Sequence, residues 1–351
     1  MELTERIPAA VLGATGVVGQ QLVRLLHDHP WFSLEAVAAS SRSAGRPYGE
    51  AAEWMLDRDL PPDLAEKIVV EGGEELSAPL LFSALASETA SELEPLYRDR
   101  GHLVVSNASR FRMDPRVPLL IPEVNPESLE LLRDQDSSPG GLITNPNCVV
   151  AGLALALSPL HREFTVEAAV VTTFQALSGA GYPGVPSLAA LGNVIPHTRS
   201  EEEKIEQEPL KILDAGFPIS ASAHRVPVAD GHLASVSVKL SRPTDLEEVA
   251  EALSGFRGEP QERRLPTAPE RPLVLVGDYD RPQPLRDATR DRGMAVTVGR
   301  LRPDPVLSIR FDLLVHNTLR GAAGAALLNA ELALARGLLD TTAPDAAVEV
   351  P

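Results

Sequence analysis

Cys148 is the only cysteine of the 351-residue chain, and it stands in the run Thr144-Asn145-Pro146-Asn147-Cys148-Val149-Val150. Asn147 is a strong helix N-cap residue, because its side-chain oxygen can accept a backbone N–H that the first turn leaves without a partner. The residues after it, Val149 to Leu157, are almost uniformly apolar and predict a buried helix. The thiol then falls on the first helical turn, where the positive end of the macrodipole favours thiolate over thiol. Such positions lower a cysteine's pKa from its free value of roughly 8.5. The chemistry on offer is nucleophilic attack. The alternative is a small buried hydrophobe, the commonest fate of a free cysteine.

Further groups in the same half of the chain could serve such a nucleophile. A β-rich run, Val166 to Phe174, leads into Gln175, and Ser178-Gly179-Ala180-Gly181-Tyr182-Pro183-Gly184 follows as a loop that lets a ligand approach the backbone. A strongly charged helix is predicted from near Arg199, with Glu201, Glu202, Glu203 and Lys204. Most of these charges read as a solvated face, with one or two left to point into a site. The chain has four lysines (Lys67, Lys204, Lys211, Lys239), so a lysine at this position stands out. Arg225 precedes the Asp230-Gly231 turn, and His232 opens the alternating strand Leu233 to Leu240. An arginine before a turn and a histidine after it can converge on one cleft. That context separates His232 from His27, His29, His102, His161, His197 and His316, and leaves His224 as its rival.

The elements that would carry a second ligand lie at the N-terminus. Ile7 to Leu12 is a short apolar strand, Gly13-Ala14-Thr15-Gly16-Val17-Val18-Gly19 a glycine loop, and Gln20 to Leu26 a helix with apolar residues at helical spacing. Strand, glycine turn and helix are the setting in which backbone N–H groups and the helix dipole bind a pyrophosphate; an ordinary tight turn is the alternative. The next strand, Ser33 to Ala39, runs into Ser40-Ser41-Arg42-Ser43, with no carboxylate before Glu50. A carboxylate there would read the ribose hydroxyls of NAD, whereas an arginine accommodates a 2′-phosphate, so NADP is favoured. Strands at Lys67–Val70, Pro79–Ser83 and His102–Ser106, separated in part by helices, predict an α/β, doubly wound and mainly parallel sheet. At the other end, His316-Asn317-Thr318 precedes an alanine- and leucine-rich helix, Ala322 to Leu339.

Bulk properties narrow the class. The length predicts two domains, and 44% apolar residues is ordinary for a globular chain. A single cysteine excludes an intramolecular disulfide framework and a multi-cysteine metal cluster, and it fits a reducing compartment. No metal motif with sensible spacing occurs. The acidic start, Met1 to Arg6, lacks the basic and apolar regions of a signal peptide. The uncharged stretch Ser137–Leu160 is broken by prolines and glycines, and its continuous apolar part is about half of the ~20 residues a span needs. The expectation is a soluble cytoplasmic protein. A formal charge of −17 repels nucleic acid and anionic membranes, which leaves small molecules as partners.

Taken in order, these segments resemble the aspartate-semialdehyde dehydrogenases, especially their archaeal and fungal branch. The resemblance covers nearly the whole chain: Gly13–Gly19, Ser106-Asn107-Ala108-Ser109, Ile121-Pro122-Glu123-Val124-Asn125, Asn145–Cys148, Gln175–Pro186, Glu201–Lys204, Arg225–His232, Asp280–Pro284 and His316–Gly324. It implies a Rossmann-type dinucleotide-binding domain (1–147, completed by a C-terminal helix over 318–340) and an α+β catalytic and dimerisation domain (148–317), with a flexible tail over 341–351. It implies NADPH-dependent reductive dephosphorylation of L-aspartyl-4-phosphate to the 4-semialdehyde, on the route to lysine, threonine and methionine, by a homodimer or homotetramer. By resemblance, Cys148 is the nucleophile, His232 the acid/base and Gln175 the residue that orients them. Arg225 and Glu201 match the positions that hold the substrate's α-carboxylate and amino group, with Asn147 beside them, and Arg112 and Lys204 match the phosphate binders. The cofactor contacts carried over are Gly13, Thr15, Gly16, Val17, Val18, Gly19, Ser40, Ser41, Arg42, Ser43, Ser178, Gly179 and Asn317.

Two departures stand out. Val149-Val150 replaces the small hydroxyl residues usual after the cysteine, and His224 occupies a position expected to hold a different polar residue. The nearest competing activity is malonyl-CoA reduction, which uses the same cysteine and NADPH. A non-enzymatic nucleotide sensor is the remoter alternative, and it leaves Gln175, Arg225 and His232 without a purpose. If Arg42 reads the 2′-phosphate, Arg42→Ala should raise the KM for NADP far more than that for NAD. Equal effects on the two cofactors in steady-state kinetics would remove Arg42 from that role.

Overall fold

The computed structural model describes residues 5–135, 139–198 and 200–340. Arg199 and the tail from Thr341 fall outside the described residues. The chain divides into two compact units. One comprises residues up to Leu120, Glu127–Asn145 and the chain from Ala326, and the other Ile121–Pro126 and Pro146–Ala325.

The first unit is built on a sheet of β1 (Ile7–Leu12), β2 (Phe32–Ala39), β3 (Val69–Glu71), β4 (Leu80–Ser83), β5 (Leu103–Ser106) and β6 (Gly141–Thr144). The strands lie in the order β3-β2-β1-β4-β5-β6 and every pairing is parallel. β4, β5 and β6 are buried at every position, as expected of strands covered on both faces. The order reverses beside β1, and at such a switch point the loops leaving the carboxyl ends of the strands make a crevice for a ligand. The glycine loop leaves β1 there and enters α1 (Val17–His27), whose Leu22, Val23 and Leu26 are buried. α2 (Ser87–Asp99) joins β4 to β5.

Glycine is required at both ends of that loop. Gly13 has a φ of +74°, and a β-carbon there would lie 2.7 Å from the Ala84 carbonyl oxygen. One at Gly19 would lie 2.2 Å from the Gly13 carbonyl oxygen. The loop is also tied down from outside. The Tyr48 hydroxyl donates to the Ala14 carbonyl (2.8 Å). The fully buried Gln20 donates to the carbonyls of Thr15 (3.0 Å) and Glu53 (2.9 Å) and accepts the Met55 N–H (2.9 Å).

The second unit opens with α3 (Cys148–Phe164) and holds a mixed sheet of β7 (Val166–Gln175), β8 (Ile219–Arg225), β9 (His232–Leu240), β10 (Leu273–Val276), β11 (Val296–Pro303) and β12 (Ile309–Val315). Its order is β10-β11-β12-β9-β7-β8. α3 packs on β7, β9 and β12, and it also touches α4 (Glu201–Leu213) and α5 (Leu246–Gly255). The apolar run predicted a helix ending at Leu157; the helix continues through Pro159 to Phe164. Val149 to Leu160 are all buried, so packing outweighs the ~3 kcal/mol that an interior proline costs. β9 alternates: His232, Ala234, Val236, Val238 and Leu240 are buried, and the residues between them are partly or wholly exposed. On the open face, Val170 is 48% exposed and Phe174 stacks on His224 (ring centroids 5.9 Å apart).

The last helix departs from its predicted start at Ala322. A π-turn over Leu319–Ala323 comes first and α6 (Gly324–Ala335) follows. Bonds from the Gly321 N–H to the His316 carbonyl (2.9 Å) and from the Ala323 N–H to the Thr318 carbonyl (3.0 Å) close that turn. Beyond it, in the first unit, Glu331 and His29 form a buried pair at 2.8 Å.

Candidate active site

The site of the second unit is organised by Asn147. Its side-chain oxygen accepts the Val149 N–H (3.1 Å), as the N-cap reading requires, and its carbonyl accepts the Ala151 N–H (3.0 Å). Its amide nitrogen donates to Glu201 Oε2 (2.8 Å) and its backbone N–H to Glu208 Oε2 (2.6 Å). Cys148 is therefore the first residue of α3, half-buried, on an anchored helix start. A β-carbon at Gly321 would lie 2.7 Å from the Cys148 β-carbon, so the π-turn presses its backbone against Cys148. Such turns often mark functional sites.

α4 supplies the carboxylate and ammonium. Glu201 accepts from Asn147, from Gln175 Nε2 (3.2 Å) and from Lys204 Nζ (2.8 Å). Burial raises the pKa of the Glu201 carboxyl, but the Lys204 charge and the hydrogen bonds from Lys204, Asn147 and Gln175 prevail and hold it below its ordinary value. Glu201 is thus ionised inside the site. The neighbouring acids are not the solvated face that the sequence suggested. Glu202 accepts the Ala223 N–H (2.9 Å) and Glu206 the Ala221 N–H (3.1 Å), so two carboxylates one turn apart cover the outer edge of β8. Glu203 alone of the acidic triplet is exposed.

Ala176 joins the two remaining groups through its backbone. Its carbonyl accepts from Arg225 Nη1 (2.6 Å), and its N–H donates to His232 Nδ1 (3.0 Å). Arg225 is buried, which lowers its pKa, while the nearby Cys148 and Glu201 act in the opposite sense. His232 is fully buried. That burial first, and then the Arg225 charge, lower its pKa to about 3. The ring is therefore neutral. With Nδ1 accepting a backbone N–H its proton sits on Nε2, which has no partner among the described residues. His232 thus presents a neutral Nε2–H donor. His224 alternates with Arg225 along β8 and stacks on Phe174 on the open face, away from the cluster.

Of the residues matched to cofactor contacts, three join the same cluster. Asn317 donates to Ser178 Oγ (2.8 Å) and accepts the Gly231 N–H (2.9 Å). A β-carbon at Gly179 would come within 2.9 Å of Arg225 and the His232 ring, so glycine is required there. In the first unit, Gly16 caps α1 without a side chain, and no acid occupies the first turn at Val17, Val18 and Gly19. Those N–H groups and the Thr15–Gly16 turn could hold an anion. Ser40, Ser41, Arg42 and Ser43 make the turn after β2, and Arg42 is exposed. Arg112 belongs to that unit and donates to the Asn107 carbonyl (2.7 Å).

Glu208, Ala176, Gly321 and Gln20 were not singled out in the sequence. Glu208 had a signal: positions 201, 204 and 208 recur on one helical face. Ala176 and Gly321 act through their backbone and leave no mark in residue type. Among the described residues, no cluster of His, Cys, Asp and Glu could hold a metal ion, and no helix is long and apolar enough to cross a membrane.

Comparison with known proteins bears on both units. Residues 8–132 match the family model "semialdehyde dehydrogenase, NAD binding domain" and residues 157–320 match "semialdehyde dehydrogenase, dimerisation domain". The chain belongs to the semialdehyde dehydrogenase family. It is 48% identical to the aspartate-semialdehyde dehydrogenase of Methanothermobacter thermautotrophicus, over 93% of this chain and 98% of the relative. The crystal structure of aspartate semialdehyde dehydrogenase with NADP from Candida albicans superposes with a TM-score of 0.89 at 36% identity, over 95% of this chain and all of that one. A malonyl CoA reductase (NADP) of Metallosphaera sedula is 36% identical over 95% of this chain and 98% of its own length. Val149 and Val150 are fully buried, so they pack in the core of the second unit.

The state of His232 predicts a pH dependence. A histidine whose folded pKa is depressed stabilises the fold fully above its unfolded pKa of roughly 6.5, and that contribution is lost as pH falls toward the folded value near 3. Urea unfolding across that window should show wild-type stability falling on acidification. His232→Gln should remove up to one proton's share of the slope, about 1.4 kcal/mol per pH unit. An unchanged slope, or an imidazole titrating near 6.5 by NMR, would contradict a neutral His232.

Proposed function

We propose that the chain reduces L-aspartyl-4-phosphate to L-aspartate 4-semialdehyde with NADPH, through a thioacyl intermediate on Cys148. The observation that carries this reading is the charge pattern of one cluster. Arg225 suits an α-carboxylate, because its planar fork makes paired hydrogen bonds. An ionised Glu201 suits an α-ammonium, and Lys204 beside it suits a phosphoryl oxygen, a role that the family resemblance also gives to Arg112 of the first unit. A malonyl group has no ammonium and leaves Glu201 without a purpose.

The chemistry follows from these positions. The Cys148 thiolate attacks the acyl carbon, a C–S bond forms, and the C–O bond to phosphate breaks with its electron pair leaving on the phosphate. When bound, NADPH supplies the hydride that reduces the thioester. His232 Nε2–H then donates to the oxyanion that forms at the former carbonyl, which a neutral imidazole with its proton on Nε2 can do. As the C–S bond breaks, the aldehyde leaves and the thiolate is restored on α3. Gln175 and Asn147 keep Glu201 in place. The cofactor fits the first unit through the uncapped start of α1, the Gly13–Gly19 loop and the Ser40–Ser43 turn. The family resemblance also gives Ser178, Gly179 and Asn317 of the second unit as cofactor contacts.

The chain also acts as a homodimer or homotetramer in the cytoplasm, and the open face of the second sheet is the surface it pairs through. Val170→Asp on that face should shift the protein toward monomer in analytical ultracentrifugation; an unaltered sedimentation profile would remove that face from the assembly. The substrate reading is tested in the reverse direction. NADPH formation from aspartate semialdehyde should saturate with inorganic phosphate, and Lys204→Ala or Arg112→Ala should raise the KM for phosphate about tenfold or more. Phosphate-independent turnover that requires coenzyme A would point to the malonyl-CoA reductase class.

A further inference from the structure

We infer that Glu208 is a positioning residue for the Cys148 nucleophile, acting by holding the backbone N–H of Asn147. The inference deepens the proposed function above and rests on its assignment of Cys148 as nucleophile. No backbone carbonyl of α3 can accept an N-cap residue's own N–H, and Val150 at the third helical position has no side-chain acceptor to reach back to it. Here that N–H is buried, because Asn147 is 4% exposed, and Glu208 Oε2 accepts it at 2.6 Å. Glu208 is itself only 2% exposed. A carboxylate is costly to bury and is retained where it makes strong hydrogen bonds. At this position it also faces the positive end of the α3 dipole.

The geometry makes the contact more than a helix anchor. Glu201 and Glu208 are seven residues apart on α4, two turns or about 10 Å along the axis. Both grip Asn147, one at the side-chain amide and the other at the backbone N–H. Two attachments from one rigid helix fix the rotation of Asn147, and with it the direction of Oδ1 toward the Val149 N–H. Without the Glu208 bond, Glu201 alone ties Asn147 to α4. The first turn of α3, where Sγ sits, then loses its register against Glu201 and Lys204. Displacements near 1 Å can lower a rate by orders of magnitude.

The experiment compares Glu208→Met, which fills the space without an acceptor, with Glu208→Gln, which keeps one, in the full chain. Two quantities are read: the rate constant for iodoacetamide alkylation of Cys148, and kcat against KM in the phosphate-dependent assay. Glu208→Met should lower the alkylation rate and kcat about tenfold or more, with KM values held by the intact Glu201, Lys204 and Arg225. Glu208→Gln should recover most of that loss. If circular dichroism shows that Glu208→Met does not fold, Glu208→Asp keeps the charge and withdraws the acceptor by one methylene, and it should slow alkylation by a smaller factor. Wild-type alkylation in Glu208→Met, or in Glu208→Asp where that is the variant that folds, overturns the inference. So does equal loss in Glu208→Met and Glu208→Gln. Alkylation reports on the thiol without any substrate, so the predicted alkylation pattern together with absent phosphate-dependent turnover would defeat the substrate reading and leave the role of Glu208 standing.

Discussion

The site depends on the complete hydrogen bonding of one asparagine. The backbone N–H, carbonyl, side-chain oxygen and side-chain amide of Asn147 each have a partner, on α3 itself or on α4. A helix start offers up to four N–H groups without internal partners, and a nucleophile there needs some of them satisfied and others left for chemistry. Asn147 divides that labour. It caps Val149, ties the helix start to Glu201 and Glu208, and leaves Cys148 half-buried at the position where the dipole is strongest.

α4 is the second organising element, and its faces do different work. One presents Glu201, Lys204 and Glu208 to the start of α3. The adjoining carboxylates, Glu202 and Glu206, accept the outward N–H groups of β8. The edge strand that carries Arg225 is thereby closed to further pairing, and the arginine is held in register with the helix that carries its neighbour Glu201. A helix that reads as uniformly acidic becomes, in place, a sheet-edge cover and a wall of the site.

Environment sets the protonation states in this cluster. Glu201 and His232 are both buried, and burial alone would neutralise each. The carboxyl stays ionised because an ammonium and two amides face it. The imidazole stays neutral because burial prevails there and the Arg225 charge acts in the same sense. Two neighbouring titratable groups are thus pushed to opposite outcomes, one charged and the other a neutral N–H donor, the pattern expected where surroundings set acid–base states.

Much of this was legible in residue order. The strand–glycine–helix start, the alternation of strands and helices, the Asn147 cap with its apolar helix, and the Arg225…His232 spacing are local patterns, set by dihedral preference, capping and hydrophobic period. Those forces act within a few residues, so a linear reading captures them. The rest depended on groups distant in sequence. Burial decided the state of His232, and strand alternation on a sheet with one covered face turned His224 away from Arg225. Packing against three strands carried α3 through Pro159, which local propensity would have treated as an end. Ala176, Gly321 and Glu208 act through backbone groups or through a partner tens of residues away, and a hydrogen bond between such groups has no trace in sequence spacing. Residue types and their local order determined which chemistry the chain can perform; the close packing of α3, α4 and the second sheet decided which proton sits on which atom.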